Sequence, residues 1–141
     1  MHLPIIYVVT PTYERWTQKA DLTRLCQTLM HVRRLHWIVV EDSDTRTRLV
    51  TRLLSGNSTC KVKSTHLNVR TRPDLRLAPN DPNWRKNRGV EQRNVAIDWL
   101  REAASAGKLP ETEVGGAGGV VYFGDDDNTY DLAVFDEVCS T

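Results

Sequence analysis

The chain has 141 residues, 40% hydrophobic and 26% charged, with a formal net charge of +1. That is the size and composition of one globular domain, in which roughly two-thirds of the unfolded surface can be buried. The near-neutral balance gives no basis for nucleic-acid binding, and no stretch approaches the ~20 apolar residues of a membrane helix.

Ile5 to Val9 is a compact apolar run and the first predicted strand. Thr10-Pro11-Thr12-Tyr13 is expected to break it, because proline lacks a donor and fixes φ. A helix follows over Thr17 to Met30, with Ala20, Leu22, Leu25, Leu29 and Met30 forming an apolar stripe. Cys26 lies on that face and reads as a small core residue. The three cysteines, Cys26, Cys60 and Cys139, lack the spacing of a zinc site. His36 to Val40 is the second strand and runs into Glu41-Asp42. Thr45 to Leu54 is a short helix with Leu49, Val50, Leu53 and Leu54 expected inside, stopped by Gly56-Asn57. Lys61 to Val69 is a more polar strand, suited to a sheet edge.

Residues 70–88 contain three prolines, three asparagines, two aspartates and five arginines, a long polar loop of the kind that is functional or disordered. Gly89 to Arg101 is the third helix, with Arg88 and Arg93 at the positive end of its dipole. A Gly-rich connector over 106–119 leads to Val120–Phe123, whose β-branched and aromatic run predicts a fully buried strand. It ends in Gly124 and three aspartates, Asp125, Asp126 and Asp127, and a last helix is expected from Asp131 to Cys139.

The alternation of strands and helices is the pattern of βαβ units on a mostly parallel sheet, an α/β Rossmann-like class with the first and fourth strands adjacent. Thr10–Tyr13, Glu41-Asp42 and Asp125–Asp127 then share one sheet edge, where ligands of such folds bind. Three adjacent carboxylates suit a divalent cation that brings phosphate oxygens with it; the bland alternative is a solvated acidic turn. Tyr13 is placed to stack on a base or simply to close a loop. Asp42 is placed to accept from a base or ribose, or to cap the next helix. Arg88 and Arg93 are placed to clamp phosphate or carboxylate, or to pair with acids such as Glu91. The four histidines show no ligand spacing, and Trp37, Trp84 and Trp99 read first as packing residues. A haloacid-type phosphatase would need an aspartate where Thr10-Pro11 stand, and a phosphoacceptor domain needs a lysine at a neighbouring strand end.

Taken together, Pro11-Thr12-Tyr13, Leu35-His36-Trp37, Val40-Glu41-Asp42, the run Arg88 to Asn94, and Val120 to Tyr130 resemble the β-1,3-glucuronosyltransferases. Gly124 stands where that family is expected to have alanine. The resemblance implies a GT-A glycosyltransferase transferring glucuronic acid from UDP-glucuronate to a terminal galactose of the proteoglycan linkage region. The transfer would be Mn²⁺-dependent and inverting. It implies that Pro11, Thr12 and Tyr13 border the uridine, with Tyr13 stacking on uracil and Asp42 bonding to it. Arg88 and Arg93 would contact the donor, and Asp125, Asp126 and Asp127 would form the DxD-type motif, with Asp127 the direct metal ligand. It further implies a Golgi-lumenal, membrane-anchored homodimer acting on a glycan of a proteoglycan core protein. Residues 1–141 would then be the UDP-sugar-binding half. The acceptor half, its catalytic glutamate base and the type II anchor are expected outside these residues. The alternative is a non-catalytic UDP-sugar-binding fragment.

Overall fold

A computed structural model describes residues 4–55, 60–72, 89–108, 119–128 and 130–135. In chain order the elements are β1 (Ile5–Thr12), α1 (Gln18–Leu29), β2 (Leu35–Glu41), α2 (Arg48–Leu54), β3 (Ser64–Asn68), α3 (Val90–Ser105) and β4 (Gly119–Phe123). The strands form one four-stranded sheet in the order β3-β2-β1-β4, every pairing parallel. The expected Rossmann-like class and the adjacency of the first and fourth strands are both observed.

Strands buried on both faces are apolar at every position rather than alternating. β1 and β2 obey this and divide their side chains between two cores. Ile6, Val8, Trp37 and Val39 pack against Leu22, Leu25 and Leu29 of α1 and Val50 and Leu53 of α2. Ile5, Tyr7, Val9, Ile38 and Val40 pack on the opposite face against Ala96 and Leu100 of α3. β3 is half-buried throughout, as an edge strand should be.

Four expectations need correction. β1 does not break at Pro11 but runs to Thr12, with Pro11 in register with Val40. Even-numbered residues of β1 bond toward β2, as Ile6 N–H to Arg34 O and Thr12 O from Asp42 N–H show. The donor that Pro11 lacks would therefore point toward the β4 side. There the carbonyl of Gly124 is instead taken by the Thr10 hydroxyl at 2.7 Å. Proline is tolerated because a side chain supplies the missing bond.

β4 is not fully buried. Val121 is 39% and Phe123 46% exposed. Among the described residues β4 pairs only with β1, and α3 packs on β1, β2 and β3. Only one side of β4 is well covered, where Tyr122 meets Phe135 and Tyr130 edge-on at centroid distances of 5.5 and 6.0 Å.

Leu49 is expected inside but is 38% exposed; α2 begins at Arg48 rather than Thr45, and only Val50 and Leu53 of it are buried. Cys26 is buried, but as half of a disulfide with Cys60, their Cα atoms 5.9 Å apart. The bond ties α1 to the segment entering β3, a pairing that spacing alone could not reveal.

The expected long loop beyond Thr71-Arg72, the 109–118 part of the expected connector and the rest of the expected last helix beyond Phe135 lie outside the described residues.

Candidate functional site at the carboxyl edge of the sheet

The parallel register brings the carboxyl ends of β1, β2 and β4 to one edge, so polar residues that follow apolar strands are gathered there. Thr12, the last residue of β1, is buried and donates its hydroxyl to Asp126 Oδ2 at 2.7 Å. It accepts from Gln18 Nε2 at 3.1 Å. Arg15 contacts the same carboxylate oxygen of Asp126 at 2.7 Å and reaches Asp21 at 2.9 Å. Its guanidinium also donates to the Tyr13 carbonyl and lies 4.5 Å over the Tyr13 ring.

The side chains of this cluster are largely buried, and burial and ion pairing compete in setting their proton affinities. Burial pushes the Asp126 carboxyl above its ordinary value; the bonds from Arg15 and Thr12 oppose the shift, and Asp127 next to it adds repulsion. Burial would likewise raise Asp21, but its bonds to Arg15 and Thr17 and the charges of Arg15 and Arg24 outweigh it, so its carboxyl is lowered. For Arg15 burial works against the charge, yet Asp126 and Asp21 hold the guanidinium above its usual range.

A second group meets the first from the α3 side. Gly89 caps α3 at φ +81°, and a Cβ there would stand 3.0 Å from both Cβ and Cγ of Pro11. Only glycine combines that left-handed backbone with so close an approach. The contact seats the first turn of α3 on the end of β1. Arg93 then reaches across to donate to Asp125 Oδ1 at 2.9 Å.

Asp42 joins the edge through its N–H, which donates to the Thr12 carbonyl at 2.8 Å. Its carboxylate accepts from the Thr71 N–H and hydroxyl, both at 2.7 Å. Buried Gln92 donates to Thr71 Oγ1 and the Val69 carbonyl, so α3 and the segment after β3 are tied to Asp42. Asp42 is not a helix cap. Thr47 caps α2, and its N–H and hydroxyl go to Glu41, which also bonds His66. Glu91, considered above as a partner for Arg88 or Arg93, is held by Arg72 at 2.7 Å.

The structure therefore brings together Pro11, Thr12, Asp42, Arg93, Asp125 and Asp126. Tyr13 is also there, 41% exposed, with its ring outward. Asp127 is exposed at the same edge. Arg88 lies outside the described residues. Sequence reasoning missed Arg15, Gln18, Asp21 and Gln92, which hold the edge together, and Trp16, which stands fully exposed between β1 and α1. An arginine after a strand-end tyrosine carries no spacing signal; its partner is 111 positions away. Trp37 is the core residue expected, its indole N–H donating to Thr10 Oγ1 at 2.8 Å, and Trp99 stacks on His36.

The three aspartates are not equivalent as metal ligands. Asp126 is occupied by Thr12 and Arg15, and Asp125 by Arg93. Among the described residues no group of three or more His, Cys, Asp or Glu side chains converges to hold an ion. What remains without a partner among the described residues is Asp127, which is exposed, while the Asp125 side chain is 45% exposed with only its Oδ1 bridged to Arg93. That donor set does not make a closed cage. It fits a hard cation that takes most of its ligands from water and a bound phosphate.

An open parallel sheet with one polar, arginine-bearing carboxyl edge defines an α/β domain of the Rossmann-like class. Residues 25–141 match the glycosyltransferase family 43 domain, and the chain belongs to that family. It is 51% identical over 135 residues to the galactosylgalactosylxylosylprotein 3-beta-glucuronosyltransferase sqv-8 of Caenorhabditis elegans, covering 96% of this chain and 35% of that protein. It is 51% identical over 137 residues to galactosylgalactosylxylosylprotein 3-beta-glucuronosyltransferase 3 of Homo sapiens, covering 96% of this chain and 40% of the relative. The corresponding protein 1 of Rattus norvegicus is 48% identical over 139 residues, covering 99% of this chain and 39% of the relative. The chain thus spans little more than a third of the length of these relatives.

Proposed function

We propose that this chain is the donor-binding part of a glucuronosyltransferase that takes glucuronic acid from UDP-glucuronate and delivers it to a terminal galactose of the proteoglycan linkage region. The observation that carries the reading is the gathering of Pro11, Thr12, Tyr13, Asp42, Arg93 and the three aspartates at one sheet edge, in a chain about half identical to such transferases. Tyr13 offers a face for the uracil ring. Asp42 has lone pairs beyond those used by Thr71 and accepts from the base. Arg93, together with Arg88, neutralises donor phosphate or carboxylate in competition with Asp125. Asp126 is a positioning residue: it locks Thr12 and Arg15 and so fixes the turn that presents Tyr13 and Asp127.

Asp127 would hold the divalent cation, Mn²⁺ in this reading, which supplies charge neutralisation to a departing diphosphate when bound. Inverting transfer also needs a base on the acceptor hydroxyl. We assign that base and the acceptor site to the remaining length of the relatives, so these residues alone bind UDP-sugar without transferring it. The Cys26–Cys60 disulfide supports a secretory-pathway setting, since such bonds persist in oxidising compartments. A lumenal Golgi enzyme, anchored and dimeric as a whole protein, is the setting we propose. No helix among the described residues is long and apolar enough to cross a membrane.

The test is calorimetric titration of UDP into the chain with and without Mn²⁺, repeated on Asp127→Ala. Binding that requires both metal and Asp127 is expected. Absence of binding in a folded chain, or glucuronyl transfer to a galactose-terminated acceptor by these residues alone, would overturn the reading.

A further inference from the structure

A cleft of about 490 Å³ opens between α1 and α2, on the face of the sheet opposite α3. It shares no residue with the carboxyl-edge site. Its floor is apolar and buried, formed by the Cys26–Cys60 disulfide and Leu53. Its rim carries three exposed cations, Lys19, Arg48 and Arg52, and no acidic residue lines it. In a chain with 19 basic and 18 acidic residues, that local imbalance is not a reflection of overall composition.

Arg15, Arg24, Arg70, Arg72 and Arg93 each have a carboxylate partner. Among the described residues Lys19, Arg48 and Arg52 are ion-paired with none. Arg48 and Arg52 are four apart on α2 and therefore share a helix face, where like charges repel. Lys19 stands in the first turn of α1, next to the positive end of its dipole, where a cation is disfavoured. An anion between the three would relieve both penalties. Guanidinium groups bind sulfate and phosphate oxygens in bidentate fashion. The buried sulfur and leucine floor adds a surface for an uncharged body that an inorganic ion would not use.

We propose that the α1–α2 cleft is a second ligand site, taking a sulfate or phosphate ester on an organic body. Lys19, Arg48 and Arg52 hold the anionic head, and the disulfide floor supports the body. The site is independent of UDP-sugar binding.

The test maps amide resonances of the whole chain during titration with inorganic sulfate, p-nitrophenyl sulfate and a sulfated hexasaccharide. The organic esters are expected to shift residues of α1 and α2 while leaving the carboxyl edge unmoved, and to bind more tightly than inorganic sulfate. Affinity should fall as ionic strength rises. The Arg48→Glu, Arg52→Glu double variant should bind about tenfold or more weakly, because it converts attraction to repulsion. UDP titration of that variant should be unchanged. Lys19→Glu provides the same comparison should the double variant fail to fold. A hexasaccharide tighter than p-nitrophenyl sulfate assigns the site to esters carried on saccharide chains; equal affinities assign it to small esters. Shifts lying outside α1 and α2, inorganic sulfate binding as tightly as the esters, or variants that bind normally would each overturn the proposal.

Discussion

Thr12 and Asp126 lie 114 residues apart and share a buried 2.7 Å hydrogen bond, which Arg15 joins by contacting the same carboxylate oxygen. That one oxygen links the end of β1, the turn into α1 and the aspartate run after β4. The acidic run is therefore divided in function: its middle member is part of the scaffold, and its last member faces water.

Removing the arginine should expose that division. Arg15→Ala leaves Asp126 buried beside no cation and Asp21 with Arg24 alone, so stability should fall by about 3 kcal/mol, the usual result of breaking a buried pair. Urea denaturation would measure it. Arg15→Met combined with Asp126→Asn should recover much of the loss, because neither an unpaired charge nor a cavity remains.

Asp127→Ala and Asp126→Ala should behave oppositely. The first should leave the urea midpoint unchanged and abolish Mn²⁺-dependent UDP binding. The second should lower the midpoint and disturb Tyr13 and Arg15 together. Paired denaturation and calorimetry on both variants separate ligand from scaffold.

Asp21 supplies a pH dependence. Its folded carboxyl is lowered from the ordinary 3.8, so its contribution is fully present above that value and is lost as pH falls through the folded value. Asp21→Asn should be about 1–2 kcal/mol less stable at neutral pH. The deficit should shrink on acidification below pH 3.8. Asp126, raised by burial, has the opposite sign and partly offsets the acid limb in the parent chain. Thermal melts across the acid range of both proteins test this.

The disulfide closes a loop with a sequence separation of 34. Chain entropy then predicts that Cys26→Ser with Cys60→Ser lowers stability by about 3–4 kcal/mol. Reductant should lower the stability of the parent by the same amount, and the variant should not respond to reductant.

Gly89→Ala forces a side chain into the left-handed region and against Pro11. A loss of about 1–3 kcal/mol is expected, together with weakened donor binding, because Arg93 is positioned by that first turn of α3. A variant with unaltered stability and UDP affinity would show that α3 can dock without this contact.

The strand and helix pattern was legible because hydrophobic period depends only on neighbours along the chain. Continuous apolar runs in β1 and β2, the polar edge strand β3 and Leu22, Leu25 and Leu29 of the α1 stripe all followed from it, as did the parallel order, whereas Ala20 and Met30 of that stripe are exposed. The site's outline was legible for a related reason: parallel strands deliver whatever follows them to one edge, so Thr12, Asp42 and Asp125–Asp127 had to be neighbours. Runs of the same composition were less informative where burial depends on what lies opposite. Val121 and Phe123 look like core residues and are exposed, because among the described residues α3 packs on β1, β2 and β3 rather than on β4.

By itself the amino-acid sequence determined the α/β class, the sheet order and the family, since periodicity, crossover handedness and motif identity are properties of the chain. Only the tertiary structure decided which carboxylate is free. The same Asp-Asp-Asp run holds one residue buried by Thr12 and Arg15, one bridged to Arg93 and one open to water. The disulfide, the Thr10 bond that replaces Pro11's missing donor, and the basic cleft between α1 and α2 were likewise set in three dimensions. Each depends on partners separated by at least a full element, and no local rule of sequence encodes such distances.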